Sequence, residues 1–135
     1  MDLRSIVNAL PFVSNHGVEV VELGDGRSLV RMPFAPEFSS PPALFPAAMV
    51  GLVGDVAAVS ACMSAAPAGF ACATLDFTVK MTGAAAGAEL VAEGRVLQAG
   101  RTISVGAADV YVTDGGERRH CGSVLATARV YEIRG

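Results

Sequence analysis

Histidine occurs only twice in this chain, at His16 and His120, and cysteine three times, at Cys62, Cys72 and Cys121. An odd number of cysteines without regular spacing argues against a disulfide framework. Two histidines far apart in sequence supply no metal-ligand pattern. The thiols therefore read as small apolar groups in a reducing, cytoplasmic compartment. Charge is sparse as well. Charged residues make up 17% of the chain, the net charge is −3 and the pI is near 5.3. Apart from Arg118 and Arg119 the basic residues are scattered, so nothing attracts nucleic acid or an anionic membrane surface. There is no G-x-S-x-G nucleophile elbow and no dinucleotide fingerprint. Gly24-Asp25-Gly26 leads into a strand-like segment, whereas a phosphate loop opens a helix. Met1 to Ile6 has no basic region followed by an apolar core, so a signal peptide is not expected.

What the chain has in quantity is apolar residues, 52% of its 135. That length fits one domain, residues 1–135. It also buries about 68% of its unfolded surface on folding. So apolar a composition in so small a chain implies surface buried between subunits. The longest apolar stretch, Leu44 to Ala66, raises the question of a membrane span. Asp55 lies in its middle, Pro46 and several small residues interrupt it, and no basic flank follows. A buried helix is the expectation.

Periodicity organises the rest. Leu3 to Leu10 predicts a short amphipathic helix stopped by Pro11. His16 to Leu23 and Ser28 to Phe34 predict two strands joined by the hairpin signal Gly24-Asp25-Gly26-Arg27. Phe38 to Pro46 is a proline-rich loop. From Pro46 to about Ala65, Met49, Leu52, Val53, Val56, Val59 and Met63 follow helical spacing over a face of small residues. After Pro67-Ala68-Gly69 the period falls to two. Leu75, Phe77, Val79 and Met81 alternate with Thr74, Asp76, Thr78 and Lys80. Strands follow over Glu89 to Leu97, Thr102 to Thr113 and His120 to Ile133. Strands and helices do not alternate regularly, which argues against a doubly wound parallel sheet. The α+β class is expected: an antiparallel sheet of about six strands around one long helix.

Asp55 is the residue that carries chemistry. It is the only charged group in the apolar helix. A carboxylate in such a place is either paired or pushed toward its neutral form. It reads as a general base or nucleophile, or as a structural cap at a turn or subunit boundary. Thr74 and Asp76 fall on one face of the next strand, which by itself reads as a solvated face. His16 and His120 read as surface histidines.

Three segments carry a resemblance over nearly the whole chain. They are Pro11-Phe12 with His16 through Leu23, Met49 through Ala57, and Thr74 through Val79 with Leu90 through Thr102. Together they resemble the phenylacetyl-CoA thioesterase-like branch of hotdog-fold proteins. The resemblance implies a homodimer or dimer of dimers, with an active site between subunits that hydrolyses acyl-CoA. No cofactor is implied, because CoA is part of the substrate. Asp55 would activate water or attack the thioester carbonyl. Thr74 would orient that water from the neighbouring subunit, with Asp76 beside it. The family's helix opens with a His-Gly-Gly turn, whose positions here are Pro46, Ala47 and Ala48. The backbone N–H at Ala47 would then polarise the carbonyl. Ser40 falls near a loop asparagine of some members and would hold a water. Gly100, Arg101 and Thr102 would lie near the nucleotide end of CoA, with Arg101 on phosphate.

The loss of His-Gly-Gly motivates a rival from another class, a hotdog protein that binds acyl-CoA or serves in assembly without efficient turnover. An open cleft at Asp55 favours the enzyme. A cleft filled by Leu44, Phe45 and Pro46 favours the binding module.

Overall fold

The computed structural model describes residues 2–133. Helix α1 spans Leu3–Asn8 and is capped by the Asp2 side chain, which accepts from the Ser5 N–H at 2.8 Å. Pro11 ends that helix but also opens a second, one-turn helix, α2 (Pro11–Ser14). Proline's fixed φ and missing N–H suit a first helical position, so one residue does both jobs. Gly17, at φ +72°, then turns the chain outward, and strand β1 starts only at Glu19 rather than at His16.

Six strands follow: β1 (Glu19–Gly24), β2 (Arg27–Pro33), β3 (Phe70–Met81), β4 (Glu89–Gln98), β5 (Ile103–Asp114) and β6 (Glu117–Glu132). Between β2 and β3 runs helix α3, Ala47–Ala65. Every neighbouring pair is antiparallel, in the order β1-β2-β4-β5-β6-β3. The β1–β2 turn is the one read from sequence. Asp25 and Gly26 both have positive φ, 52° and 75°, as a two-residue hairpin twisted with its strands requires. The Gly115-Gly116 turn between β5 and β6 repeats the device.

Helix α3 touches all six strands, so the sheet curls around it. The helix is long and apolar enough to cross a membrane, but most of its surface is buried within the fold. Small residues allow close packing. The Ser28 hydroxyl donates to the Ala57 carbonyl at 2.6 Å. A Cβ on Gly106 would stand 2.6 Å from the Ala58 carbonyl oxygen, and one on Gly54 would overlap Val124. Around this seam lies one contiguous core in which Val20, Val30, Met32, Val53, Leu90 and Val110 are wholly buried. This is the α+β architecture expected from the sequence, one long helix wrapped by a six-stranded antiparallel sheet.

Strand β3 holds one irregularity that matters. Thr74 pairs with Ala128, but Asp76 pairs with Thr127, so Leu75 is an extra residue in a bulge. Ala128 faces the helix and is fully buried. Thr74 therefore points to the helix and Asp76 to the opposite face. The expectation that they share a face is corrected, because an inserted residue inverts a period of two.

Candidate active site

Asp55 occupies the flank of α3 that looks toward the start of β3 and the two N-terminal helices. It opens into a cavity of about 200 Å³. Val7, Leu10 and Phe12 form one wall, Val56, Val59 and Met63 on the helix a second, and Cys72, Ala73 and Thr74 a third. Asp55 is the only ionisable carboxylate among these groups. The Thr74 hydroxyl donates to Asp55 Oδ1 at 2.9 Å, and among the described residues no ion pair reaches this carboxylate. Burial raises the Asp55 pKa above the usual carboxylate value, with the Thr74 hydrogen bond pulling the other way. The result is a carboxylate more basic than one in water, next to an apolar recess, with one face held by a hydroxyl. That arrangement suits proton abstraction from water or direct attack on an electrophilic carbon.

Leu44, Phe45 and Pro46 do not line this cavity. Phe45 is instead buried elsewhere, edge-on to Phe34 at 5.3 Å, with its N–H bonded to the Ala85 carbonyl. The cleft at Asp55 is thus open rather than plugged.

The remaining sequence-derived positions divide into three places. Thr74 meets the Asp55 of its own chain. Pro46, Ala47 and Ala48 form the opening of α3, where Pro46 is the cap residue and the two alanines are exposed. First-turn N–H groups have no partner within a helix, so these two stay available. Eight residues separate Ala47 from Asp55 on α3, about 12 Å at 1.5 Å per residue. One chain cannot bring both to one carbonyl. Ser40 bridges Leu44 through paired backbone bonds of 2.9 Å and does not line the Asp55 cavity. Gly100, Arg101 and Thr102 lie past the other end of α3, on a separate cavity. Asp76 faces away from Asp55.

Sequence reasoning missed the N-terminal wall. The apolar spacing of Leu3, Val7 and Leu10 marked a helix, but not that it would cover Asp55. The thiols are buried and held toward their protonated form. Burial pushes Cys62 and Cys121 up to about 11, and raises Cys72 as well. Among the described residues, no three His, Cys, Asp or Glu side chains gather closely enough to hold a metal ion.

A second polar cluster lies on the outer sheet face. His120 contacts Thr82 Oγ1 through Nδ1 at 2.6 Å and Asp109 Oδ1 through Nε2 at 3.1 Å. Asp109 also accepts from Ser123 at 2.9 Å. The pattern of hydroxyl, imidazole and carboxylate resembles a nucleophile triad, but it lacks an oxyanion site. The Thr82 and Gly83 N–H groups both point to the Cys121 carbonyl. The cluster ties the end of β3 to β5 and β6.

No protein-family model and no curated protein matches the chain. Solved structures do. A thioesterase family protein from Silicibacter pomeroyi is 25% identical, with 96% of each chain covered and a TM-score of 0.91. A thioesterase from Haemophilus influenzae is 17% identical over 98% of this chain and 90% of its own, with a TM-score of 0.85. A variant of a Pseudomonas aeruginosa thioesterase is 17% identical over 98% and 96%, with a TM-score of 0.81.

Proposed function

We propose, from the hotdog fold this chain shares with structures of the thioesterase superfamily, that it hydrolyses acyl-CoA thioesters. The observation that carries the reading is Asp55, alone in an apolar cavity, raised in pKa and bonded to Thr74. In this mechanism Asp55 takes a proton from water while the water oxygen bonds to the carbonyl carbon. Thr74 holds the carboxylate in position. The tetrahedral oxyanion collapses, the C–S bond breaks, and the thiolate leaves and recovers a proton. The products are a free acid and CoA.

The oxyanion requires a donor, and here the 12 Å argument applies. The Ala47 N–H at the start of α3, favoured by the helix dipole, serves the Asp55 of a second subunit. Strand β3 supports such a pairing. It ends the sheet, bonds only to β6, and runs for 12 residues with Leu75 more than half exposed. An uncovered edge of that length invites another strand. A homodimer is therefore the functional unit of the proposal, and a dimer of dimers is compatible with it. The acyl group, small or medium in size, takes the apolar cavity beside Asp55, and an aromatic ring fits its lining. The phenylacetyl-CoA thioesterase-like branch and a cytoplasmic site of action belong to the same reading.

The test is thiol release from short, medium and aromatic acyl-CoAs, run beside Asp55→Asn. Loss of about a hundredfold or more in turnover, the range for an essential general base, supports the mechanism. If no substrate releases thiol while CoA still binds, the chain is a binding module. The Pro46-Ala47-Ala48 turn gives that second reading its specific motive.

A further inference from the structure

The cavity beside Asp55 holds one polar group that the proposed hydrolysis does not use. Ser60 lines it together with Val56, Val59 and Met63 of the same helix, and the residue is only 2% exposed. Two other serines, Ser28 and Ser104, are buried as deeply, and both have partners. Ser28 Oγ donates to the Ala57 carbonyl, and Ser104 Oγ accepts from the Gly100 N–H. A serine inside a helix often turns its hydroxyl back to a carbonyl of the preceding turn. Ser64 does so, donating to the Ala61 carbonyl at 2.8 Å. Among the described residues, Ser60 Oγ makes no such bond and has no other side-chain or backbone partner. Every side-chain oxygen or nitrogen sealed from solvent among those residues is paired. An unpaired hydroxyl on this wall is therefore one that a small molecule in the cavity can reach.

The rest of the lining leaves that hydroxyl alone. Asp55 and Thr74 are bonded to each other at 2.9 Å. Cys72 offers a thiol, which is a weak donor, and the other side chains of the lining are apolar. A wholly apolar acyl tail would cover Ser60 Oγ and give it nothing to bond. A site with such a group discriminates against ligands that leave it unpaired.

Dimensions say where the matching oxygen belongs. Five residues of α3 separate Asp55 from Ser60, about 7.5 Å of rise. An extended chain advances about 1.2 Å per bond, so about five bonds from the thioester carbon bring an oxygen within hydrogen-bond reach of Ser60. The volume agrees. At about 30 Å³ for each water-sized group, 200 Å³ takes roughly seven non-hydrogen atoms. A tail of about six such atoms beyond the thioester carbon fits that space.

We infer that Ser60 determines specificity, and that the acyl group carries an oxygen substituent, keto or hydroxyl, about five bonds from the thioester carbon and bonded to Ser60 Oγ. A serine hydroxyl both donates and accepts, so it serves either form. The inference rests on the thioesterase reading and narrows it, from a small or medium acyl group to one with a polar tip. Ser60 touches that tip and not the reacting atoms.

The test compares 5-oxohexanoyl-CoA with 5-methylhexanoyl-CoA, which differ by a carbonyl oxygen against a methyl group of similar size. The parent protein should favour the oxo thioester about tenfold in kcat/KM, the factor expected when a ligand leaves a buried hydroxyl unpaired. Ser60→Ala should abolish the preference by weakening the oxo substrate alone. A parent that treats the two alike overturns the inference, and so does a preference that survives in Ser60→Ala. Thermal melting checks for a structural role. Because the hydroxyl bonds nothing in the fold, Ser60→Ala should melt no lower than the parent, and a lower melting temperature also overturns the inference. If neither thioester is hydrolysed, the thioesterase reading fails, and calorimetric titration with the same two thioesters decides the matter at Ser60. Tighter binding of the oxo form, lost in Ser60→Ala, upholds the site; equal binding overturns it.

Discussion

Asp55 carries two consequences of one cause. Burial favours its neutral form, so its folded-state pKa stands above the unfolded value. Between those values the native state binds more protons than the unfolded state, and stability falls as pH rises through the folded pKa. Asp55→Asn removes that penalty. The variant should melt at a higher temperature than the parent at neutral pH, with the gap closing in acid, as thermal denaturation across a pH series will show. As the base of the proposed hydrolysis, Asp55 would have to be ionised to act, so kcat/KM should decline on the acid side at a higher pH than for an ordinary carboxylate. Thr74 acts in the opposite sense to burial, holding the pKa down. Thr74→Val should lower kcat and move that acid limb to higher pH, a shift that a merely structural loss would not produce.

At the scale of elements, α3 and the strands beneath it meet through small side chains, and volume is the sensitive quantity. Gly54 has no room for a methyl group against Val124. Gly54→Ala should destabilise the fold by about 1–3 kcal/mol, the usual range for overpacking, measured by urea denaturation. The same packing protects the thiols. Cys62 and Cys121 are at most 1% exposed and pushed up to about 11. An aromatic disulfide reagent at neutral pH should label neither until denaturant unfolds the chain.

For the whole molecule, the separation of Ala47 from Asp55 and the open edge of β3 are the two grounds for the proposed homodimer. Placing a charge on that edge should break it. Leu75→Lys is expected to shift the protein to monomers in light scattering after gel filtration, with circular dichroism unchanged. Thiol release should fall with it. A monomer of undiminished activity would mean that the oxyanion donor comes from the same chain.

Much of this was legible in residues alone. Asp25-Gly26 specifies its turn because both positions need positive φ. The apolar run from Met49 to Met63 is too long for a strand and too apolar for a surface helix, so it must be the core. Asp55 stands out because one carboxylate in such a helix has no local reason to be there. The limits were equally physical. Whether Thr74 or Asp76 meets Asp55 depends on one extra residue at Leu75, and an alternating pattern cannot register an insertion that only a partner strand reveals. That α1 and Phe12 would wall the cavity, and that Arg101 would share another with Arg129, depended on contacts between segments distant in the chain. Local pattern selects the elements through turn chemistry and periodic burial; only tertiary packing decides which of their side chains share a cavity.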